Sequence, residues 1–186
     1  MNNKLAIFGY GGHSKVIIDI AINNKFNEID IYDDNKKLPS VVGNLDDLIQ
    51  SKDNYGSYFV AIGKNDIRMK IYKKIKKTGL KPVSLVHPSA NISTNVVIGK
   101  GVCVMAGCSI NSNTNIYDGS IINTNSSIDH DCNIGEFSHI CPGVNIAGSV
   151  NIGELVFIGI GSNIVNNLNI SSETRIKAGT TVIKSI

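Results

Sequence analysis

Tryptophan is absent from the 186 residues, and aromatic residues of all kinds make up only 6%. A conventional mixed core leans on large aromatic side chains, so the shortage points to a core built by repetition. No run of eighteen or more apolar residues exists, so no membrane span is expected. The four cysteines, Cys103, Cys108, Cys132 and Cys141, form no C-x-x-C pair. Zinc is therefore not expected, no other metal is called for, and nothing requires disulfides. A reducing cytoplasm fits that usage. The chain opens directly on a strand pattern, KLAIFG, without the layout of a signal peptide. A cytoplasmic location follows as an expectation. The net charge of +3 is mild, and no dense basic stripe suggests nucleic acid. The one basic cluster, Lys73, Lys74, Lys76 and Lys77, falls on an expected helix and reads as a solvated face. What remains, 42% hydrophobic and 18% charged, is the composition of an ordinary soluble globular protein.

What the sequence has in abundance is a period. From Asn91 to Ile186 the chain divides, without an insertion, into sixteen blocks of six: NISTNV, VIGKGV, CVMAGC, SINSNT, NIYDGS, IINTNS, SIDHDC, NIGEFS, HICPGV, NIAGSV, NIGELV, FIGIGS, NIVNNL, NISSET, RIKAGT, TVIKSI. The second position is Ile or Val in every block, and the sixth is mostly small or β-branched. Neither a helix nor an alternating amphipathic strand has a strict period of six. A parallel β-helix does, with three blocks closing a coil of eighteen residues, so that each coil buries the hydrophobic face of the next. Ile92, Ile110, Ile128, Ile146, Ile164 and Val182 are then one inward-pointing ladder, suited to β-branched stacking. Hexapeptide repeats of this kind resemble the left-handed β-helix acyltransferases. Left-handedness runs against the usual crossover rule and is taken from the resemblance alone.

The first half reads differently. KLAIFGY, EIDIYDD, SYFVAIG and KPVSLV have strand patterns; HSKVIIDIAINN, NLDDLIQSK and NDIRMKIYKKIKKTG have helical ones, the last ending at Gly79. Alternation of this kind implies a small parallel α/β sheet over residues 1–85, with the β-helix over 86–186. The first turn, GYGGHSK, places Gly9, Gly11 and Gly12 between strand and helix, where glycines let a ligand approach backbone N–H groups. Asp33 and Asp34 follow the second strand, where ribose-binding acids often sit. The third glycine of the dinucleotide fingerprint is missing, with Ser14 in its place. A nucleotide or nucleotide sugar, turn glycines with no ligand, and a nicotinamide dinucleotide all stay open. His13, inside the turn, is either a ligand contact or a helix-start residue. His87 carries no assignment.

In the block SIDHDC, His130 occupies the fourth, outward-pointing position. Eighteen residues on is Gly148, which leaves room for a thioester and offers an N–H to an oxyanion. Imidazole accepts a proton near neutral pH, and a neighbouring carboxylate fixes its tautomer. Asp131 is the first choice for that carboxylate and Asp129 the alternative. His139 begins a block half a coil away, so the two histidines point to different sides of one chain and would converge only across an interface between copies. An exposed histidine on a solenoid with no role is the competing reading for each.

These segments together resemble the bacterial sugar O-acyltransferases of the sialic-acid type. The likeness is greatest to the N-acetyltransferases of UDP- or dTDP-linked 4-amino-4,6-dideoxy sugars, as in bacillosamine or viosamine synthesis. It covers nearly the whole chain through GYGGHSK, YDDN, AIGKNDIR, HPSA and INTNSSIDHDCNIGEFSHICPGVNIAG. It implies a small Rossmann-like sheet that binds a nucleotide sugar through Gly11, Gly12, His13, Asp33, Asp34, Gly63 and Asn65. A left-handed parallel β-helix of hexapeptide repeats follows. His130 is implied as general base with Asp131 as its partner, where relatives often have Glu. Asn123 and His139 are implied as the active-site Asn and second His. Gly148 would meet the acetyl-CoA carbonyl, and Ala178 and Gly179 would line the CoA groove. It further implies homotrimers with acetyl-CoA, as co-substrate, held between neighbouring β-helices. Relatives continue past the last coil into a tail with a Gly-Val-Pro-Ala-Lys-like segment over the cofactor. The sequence here ends at Ile186, so how the adenine end of CoA is held stays open.

The expected reaction is direct transfer of acetyl from acetyl-CoA to the 4-amino group of the sugar, without a metal or a cysteine nucleophile. O-acetylation of sialic acid or a related nonulosonic acid is the alternative within the fold. A non-enzymatic partner of a sugar-pathway enzyme is the alternative outside it.

Overall fold

The computed structural model describes residues 3–35 and 39–186. The chain divides into two compact units, Met1–Leu85 and Val86–Ile186.

The first unit is built on a parallel sheet of β1 (Lys4–Phe8), β2 (Glu28–Tyr32), β3 (Val41–Gly43) and β4 (Ser57–Val60), in the order β3-β2-β1-β4. Helix α1 (Gly12–Asn23) joins β1 to β2, α2 (Leu45–Gln50) follows β3, and α3 (Asn65–Lys76) follows β4. β1 is central, and its Leu5, Ala6 and Ile7 are completely buried, as a parallel strand covered on both faces requires. α1 buries Ile17, Ile20 and Ala21. α2 starts with a reciprocal capping box between Asn44 and Asp47. α3 buries Tyr72 and Ile75, and leaves Lys73, Lys74, Lys76 and Lys77 exposed.

One expected element is corrected. KPVSLV is not a fourth strand of this sheet. Tyr58 brackets Pro82 with a single pair of hydrogen bonds, donating to the Lys81 carbonyl and accepting from the Val83 N–H, each at 3.0 Å. Pro82 has no N–H with which to extend that ladder, and only Leu85–Val86 is strand, outside the four-strand order. The fourth strand is instead β3, which pairs irregularly with the end of β2.

In the second unit every block contributes a two-residue strand at its first and second positions, from Asn91–Ile92 to Thr181–Val182. Ile128 pairs with Ile110 on one side and Ile146 on the other, an offset of eighteen residues. The strands stack into three faces. The first includes Ser109–Ile110, Ser127–Ile128, Asn145–Ile146 and Asn163–Ile164; the second Asn115–Ile116, Asn133–Ile134 and Asn151–Ile152; the third Cys103–Val104, Ile121–Ile122, His139–Ile140, Phe157–Ile158 and Arg175–Ile176. Second-position side chains fill the interior, with Ile110, Ile122, Ile134, Ile140 and Ile158 fully buried. Several sixth-position hydroxyls are buried as well and donate to carbonyls of the next coil, for example Ser120 to Gly135 and Ser138 to Gly153, each at 2.9 Å. The polar part of the core is thereby satisfied.

The corners depend on the fifth position. From Gly101 to Gly179 every fifth-position residue has positive φ, Asn113, Asn125, Asp131, Phe137 and Leu155 included. Glycine, asparagine and aspartate tolerate this conformation best, and they occupy most of these positions. The outward first positions give the faces different characters. On the second face Asn115, Asn133, Asn151 and Asn169 link amide to amide at 2.8–3.0 Å. On the first, the Ser127 hydroxyl donates to Asn145, and the Asn145 amide donates to Asn163. The third carries Cys103, Ile121, His139, Phe157 and Arg175.

Candidate active site

The turn Asp129–Cys132 forms the corner between the first and second faces of the solenoid. His130 Nδ1 lies 2.7 Å from Asp131 Oδ2. A carboxylate only accepts, so the neutral imidazole carries its proton on Nδ1 and leaves Nε2 as the basic nitrogen. The left-handed backbone at Asp131, φ 59°, is the fold's own requirement at a fifth position, and it goes with the contact between adjacent residues. The His130 pKa is raised, first by the hydrogen bond to Asp131 and next by the charge of Asp129. The Asp131 carboxyl is held low, first by His130 and then by Asn113, and the Asp129 carboxyl first by Asn111. Both members of the dyad are about half exposed, at 56% and 50% for their side chains, so water screens these effects.

Gly148 is the matching residue on the next coil. A Cβ built there would lie 2.6 Å from His130 Cε1 and 2.7 Å from Nε2, with only imidazole atoms as its nearest neighbours. The ring therefore lies over the space that the missing side chain leaves. The coil-to-coil donors of this turn are Ala147 and Ser149, and the Gly148 N–H takes no part in that ladder. Beside the corner runs a groove of about 500 Å³ on the first face, lined by Ser127, Asp129, Asn145, Ala147, Asn163 and Val165.

The other expected residues of the β-helix lie elsewhere. Asn123 and His139 meet each other, Nδ2 to Nε2 at 3.1 Å, at the edge of the third face. Asn123 Oδ1 accepts the Thr124 N–H at 2.8 Å, which fixes the amide so that its NH₂ donates to His139. His139 packs edge-on against Phe157, with ring centroids 5.4 Å apart, and Arg175 lies 4.4 Å over the Phe157 ring. Ala178 lines a groove of about 350 Å³ with Cys141, Pro142, Phe157, Ile160 and Arg175. Gly179 is the left-handed residue that follows, φ 68°. Within one chain, then, His130, Asp131 and Gly148 come together; Asn123 and His139 form a second group; Ala178 and Gly179 form a third.

In the α/β unit the chain reverses direction across the sheet at β1. The turns after β1 and β4 flank the crevice where open α/β sheets bind ligands. Gly9, φ 107°, is required by packing, since a Cβ there would meet the Ala61 carbonyl oxygen at 2.9 Å. Gly11 and Gly12 are exposed and open, with nothing within 4 Å of an added Cβ. Asp33 receives the Tyr10 N–H at 2.8 Å and so ties the end of β2 to the glycine turn. Asp34 accepts from the Leu45 N–H at the start of α2, at 3.4 Å. Gly63 lies in the turn after β4, and Asn65 is the first residue of α3. His13 is desolvated, and this burial together with the Arg68 charge lowers its pKa to about 4, so it is neutral at pH 7.

Three residues that sequence reasoning passed over shape these sites. Arg68, 1% exposed, donates to the carbonyls of Ile62 and Gly63 and to Asn65 Oδ1, each at 3.0 Å. It organises the whole β4 turn. Asn111 and Asn113 donate to Asp129 and Asp131 from the coil below. All four cysteines are free and buried. Burial lifts the Cys141 thiol to about 11. Among the described residues no cluster of three or more His, Cys, Asp or Glu side chains could hold a metal. No helix among them is long and apolar enough to cross a membrane.

Comparison with known proteins bears on what this arrangement belongs to. PerB from Caulobacter crescentus, solved with CoA and GDP-perosamine, superposes with a TM-score of 0.95 at 35% identity over 98% of this chain and 90% of that one. The acetyltransferase domain of PglB from Neisseria gonorrhoeae superposes with a TM-score of 0.92 at 34% identity, over 100% of this chain and 93% of that one. The chain belongs to the hexapeptide-repeat sugar acetyltransferase family. The family likeness includes the left-handed winding of the β-helix. The model of the PglD N-terminal domain matches residues 4–75. Among curated relatives, UDP-N-acetylbacillosamine N-acetyltransferase of Bacillus subtilis is 30% identical over 118 residues, 55% of this chain and 51% of that enzyme. A protein of Acanthamoeba polyphaga mimivirus is 33% identical over 96 residues, 49% of this chain and 19% of its own length. The chain thus spans about half or less of the curated relatives it matches.

Proposed function

We propose that the protein transfers an acetyl group from acetyl-CoA to the 4-amino group of a nucleotide-linked 4-amino-4,6-dideoxy sugar. The observation that carries this is the His130–Asp131 pair lying over the gap at Gly148. The family's solved members bind CoA, acetyl-CoA and GDP-perosamine, which supports a nucleotide sugar as acceptor. The α/β unit, residues 1–85, is read as the nucleotide-sugar domain, through Gly11, Gly12, His13, Asp33, Gly63 and Asn65, with Asp34 beside them. Residues 86–186 are read as the acyltransferase domain.

The neutral sugar amine attacks the acetyl carbonyl carbon. His130 Nε2 takes the proton that the nitrogen sheds as the bond forms. Asp131 stabilises the resulting imidazolium, and the Gly148 N–H donates to the carbonyl oxygen as it gains negative charge. The tetrahedral intermediate collapses, the carbon–sulfur bond breaks, and the imidazolium returns the proton to the CoA sulfur. The products are the N-acetylated sugar and CoA thiol. Holding both substrates against His130 supplies much of the acceleration. In this reading Ala178, Gly179, Asn123 and His139 serve the CoA side of a site made between copies. A second copy presenting its third-face edge to this corner, in a homotrimer, would unite the groups that one chain keeps apart.

The test is thiol release from acetyl-CoA with GDP-perosamine, UDP- and dTDP-linked 4-amino-4,6-dideoxy sugars, and free sialic acid as acceptors. Turnover on a nucleotide amino sugar, lost in His130→Ala, is the expected result. Turnover on sialic acid alone would replace N-acetylation by O-acetylation. Undiminished turnover in the variant would remove the assignment of the base.

A further inference from the structure

The groups that touch the two acids around His130 come from the coil beneath. Asn113 Nδ2 donates to Asp131 Oδ1 at 3.1 Å, while Asp131 Oδ2 holds His130 Nδ1 at 2.7 Å. Asn111 Nδ2 donates to Asp129 Oδ1 at 2.8 Å, and the same oxygen accepts the His130 N–H at 2.9 Å. Each flanking carboxylate therefore stands on an amide donor eighteen residues earlier. The coil above offers Ala147, Gly148 and Ser149 at the corresponding positions and makes no such contact with either acid.

A single contact would hold Asp131 poorly. Its side chain is half exposed, and a carboxylate that turns about its χ1 bond exchanges the imidazole for water at little cost. Fixing the second oxygen removes that freedom. The fold makes Asn113 suited to the task. Asn113 and Asp131 are both fifth-position residues with nearly the same backbone, φ 61° and 59°, so their side chains leave the corner in parallel. Their separation is that of adjacent strands, about 4.8 Å, which an amide-to-carboxylate hydrogen bond spans. Asparagine also combines a donor with ease in the left-handed region.

We propose that Asn113 is a positioning residue for His130, holding one oxygen of Asp131 so that the other stays on Nδ1 and Nε2 remains the proton-accepting nitrogen. The inference rests on the reading of His130 as the base. The ionisable groups of its own turn are Asp129, Asp131 and the buried Cys132 thiol, which donates to the His130 carbonyl and is held protonated by burial; the turns at 111–114 below and 147–150 above carry none.

Two variants separate the brace from the backbone. Asn113→Gly removes the amide and leaves a residue at ease at positive φ. Asn113→Asp keeps size and backbone preference but replaces the donor with an acceptor. Side-chain ¹H–¹⁵N spectra of the labelled protein, recorded without substrate between about pH 5 and about pH 9, report the tautomer and titration of His130. Wild type should show neutral His130 mainly as the Nδ1–H form. Asn113→Gly should show a mixture of tautomers and a midpoint closer to that of free imidazole. Asn113→Asp should titrate higher than wild type, because it adds a third carboxylate. On any acceptor the wild type uses, Asn113→Gly should lose about tenfold in kcat, a fraction of what the base itself contributes, with KM for acetyl-CoA unchanged. A wild-type tautomer and midpoint in Asn113→Gly, beside clear shifts in Asp131→Asn, would overturn the proposal while leaving the dyad intact. No shift in Asp131→Asn would overturn both the dyad and its brace. If the wild type turned over no acceptor, the transferase reading would fall and the spectra alone would decide the role of Asn113.

Discussion

Replacing Gly148 by alanine adds one methyl group at a position where the geometry says what must yield. The new Cβ would stand 2.6 Å from His130 Cε1 and 2.7 Å from Nε2, about 1 Å inside a normal contact between such atoms. The obstacle is the ring of a half-exposed side chain, so the ring swings outward and the backbone need not move. Stability should barely change, with Tm within about 2 °C of wild type. The swing carries Nδ1 away from Asp131 and Nε2 away from its place over residue 148, so turnover should fall by about a hundredfold or more, the usual weight of a general base. Gly135→Ala is the matched contrast. There the Cβ would meet the Gly153 carbonyl carbon and oxygen, which are backbone and cannot swing. Forced overpacking of that kind costs about 1–3 kcal/mol, so Tm should fall by roughly 5 °C while the dyad stays intact. The assays are thermal melts and thiol release on whichever acceptor the wild type uses. A Gly148→Ala protein that keeps most of its activity would refute the argument that the imidazole works from over this glycine.

Other perturbations test other links. Ile128 is 1% exposed between Ile110 and Ile146, so Ile128→Ala should cost about 2–5 kcal/mol, read as a lower urea midpoint with an unchanged m-value. Because Asp131 and Asp129 raise the His130 pKa, the free base becomes the major form at a higher pH than for an ordinary imidazole. The kcat/KM should therefore rise with pH through that elevated midpoint, and Asp131→Asn should move the rise to lower pH. His13 runs the other way. Its pKa is lowered from 6.5 to about 4 in the fold, so the unfolded chain binds the proton first, and stability present above pH 6.5 is lost as pH falls toward 4. The loss is about 3 kcal/mol at most. His13→Gln should flatten that acid limb in denaturant titrations, and an unchanged limb would show that His13 is not desolvated.

Much of the fold was legible because the β-helix writes its period into the chain. Ile or Val at the second position of every block identifies the interior, and the offset of eighteen by itself pairs Ile128 with Ile146 and His130 with Gly148. The same offset taken downward leads from Asp129 and Asp131 to Asn111 and Asn113. That signal was hidden by the abundance of asparagine in the repeat, where most side chains serve ladders such as Asn115–Asn133. Arg68 was hidden differently, since among the lysines of a charged helix it reads as one more surface cation. Only the close approach of the β4 turn shows it to be the residue that turn is folded around. β3 has three residues, too few for any period, and Pro82 sits inside a segment whose other residues look like a strand.

The repeat also explains why chemistry collects where it does. Second and sixth positions are committed to the interior, and the fifth is committed to a left-handed backbone. The fourth position points outward and carries no such demand, so a histidine there costs the core nothing. The fifth-position requirement then becomes useful, because aspartate is one of the few side chains at ease in it, and there its carboxylate meets the adjacent imidazole. At the same height in the next coil, the fourth position holds the one residue type that leaves the ring its space. His130, Asp131 and Gly148 each satisfy the local rules of the β-helix, and their chemistry arises from which permitted residue was placed at each site. Substitutions that respect the repeat, such as Gly148→Ala or Asn113→Gly, should therefore separate activity from stability more cleanly than any change to the ladders beneath them.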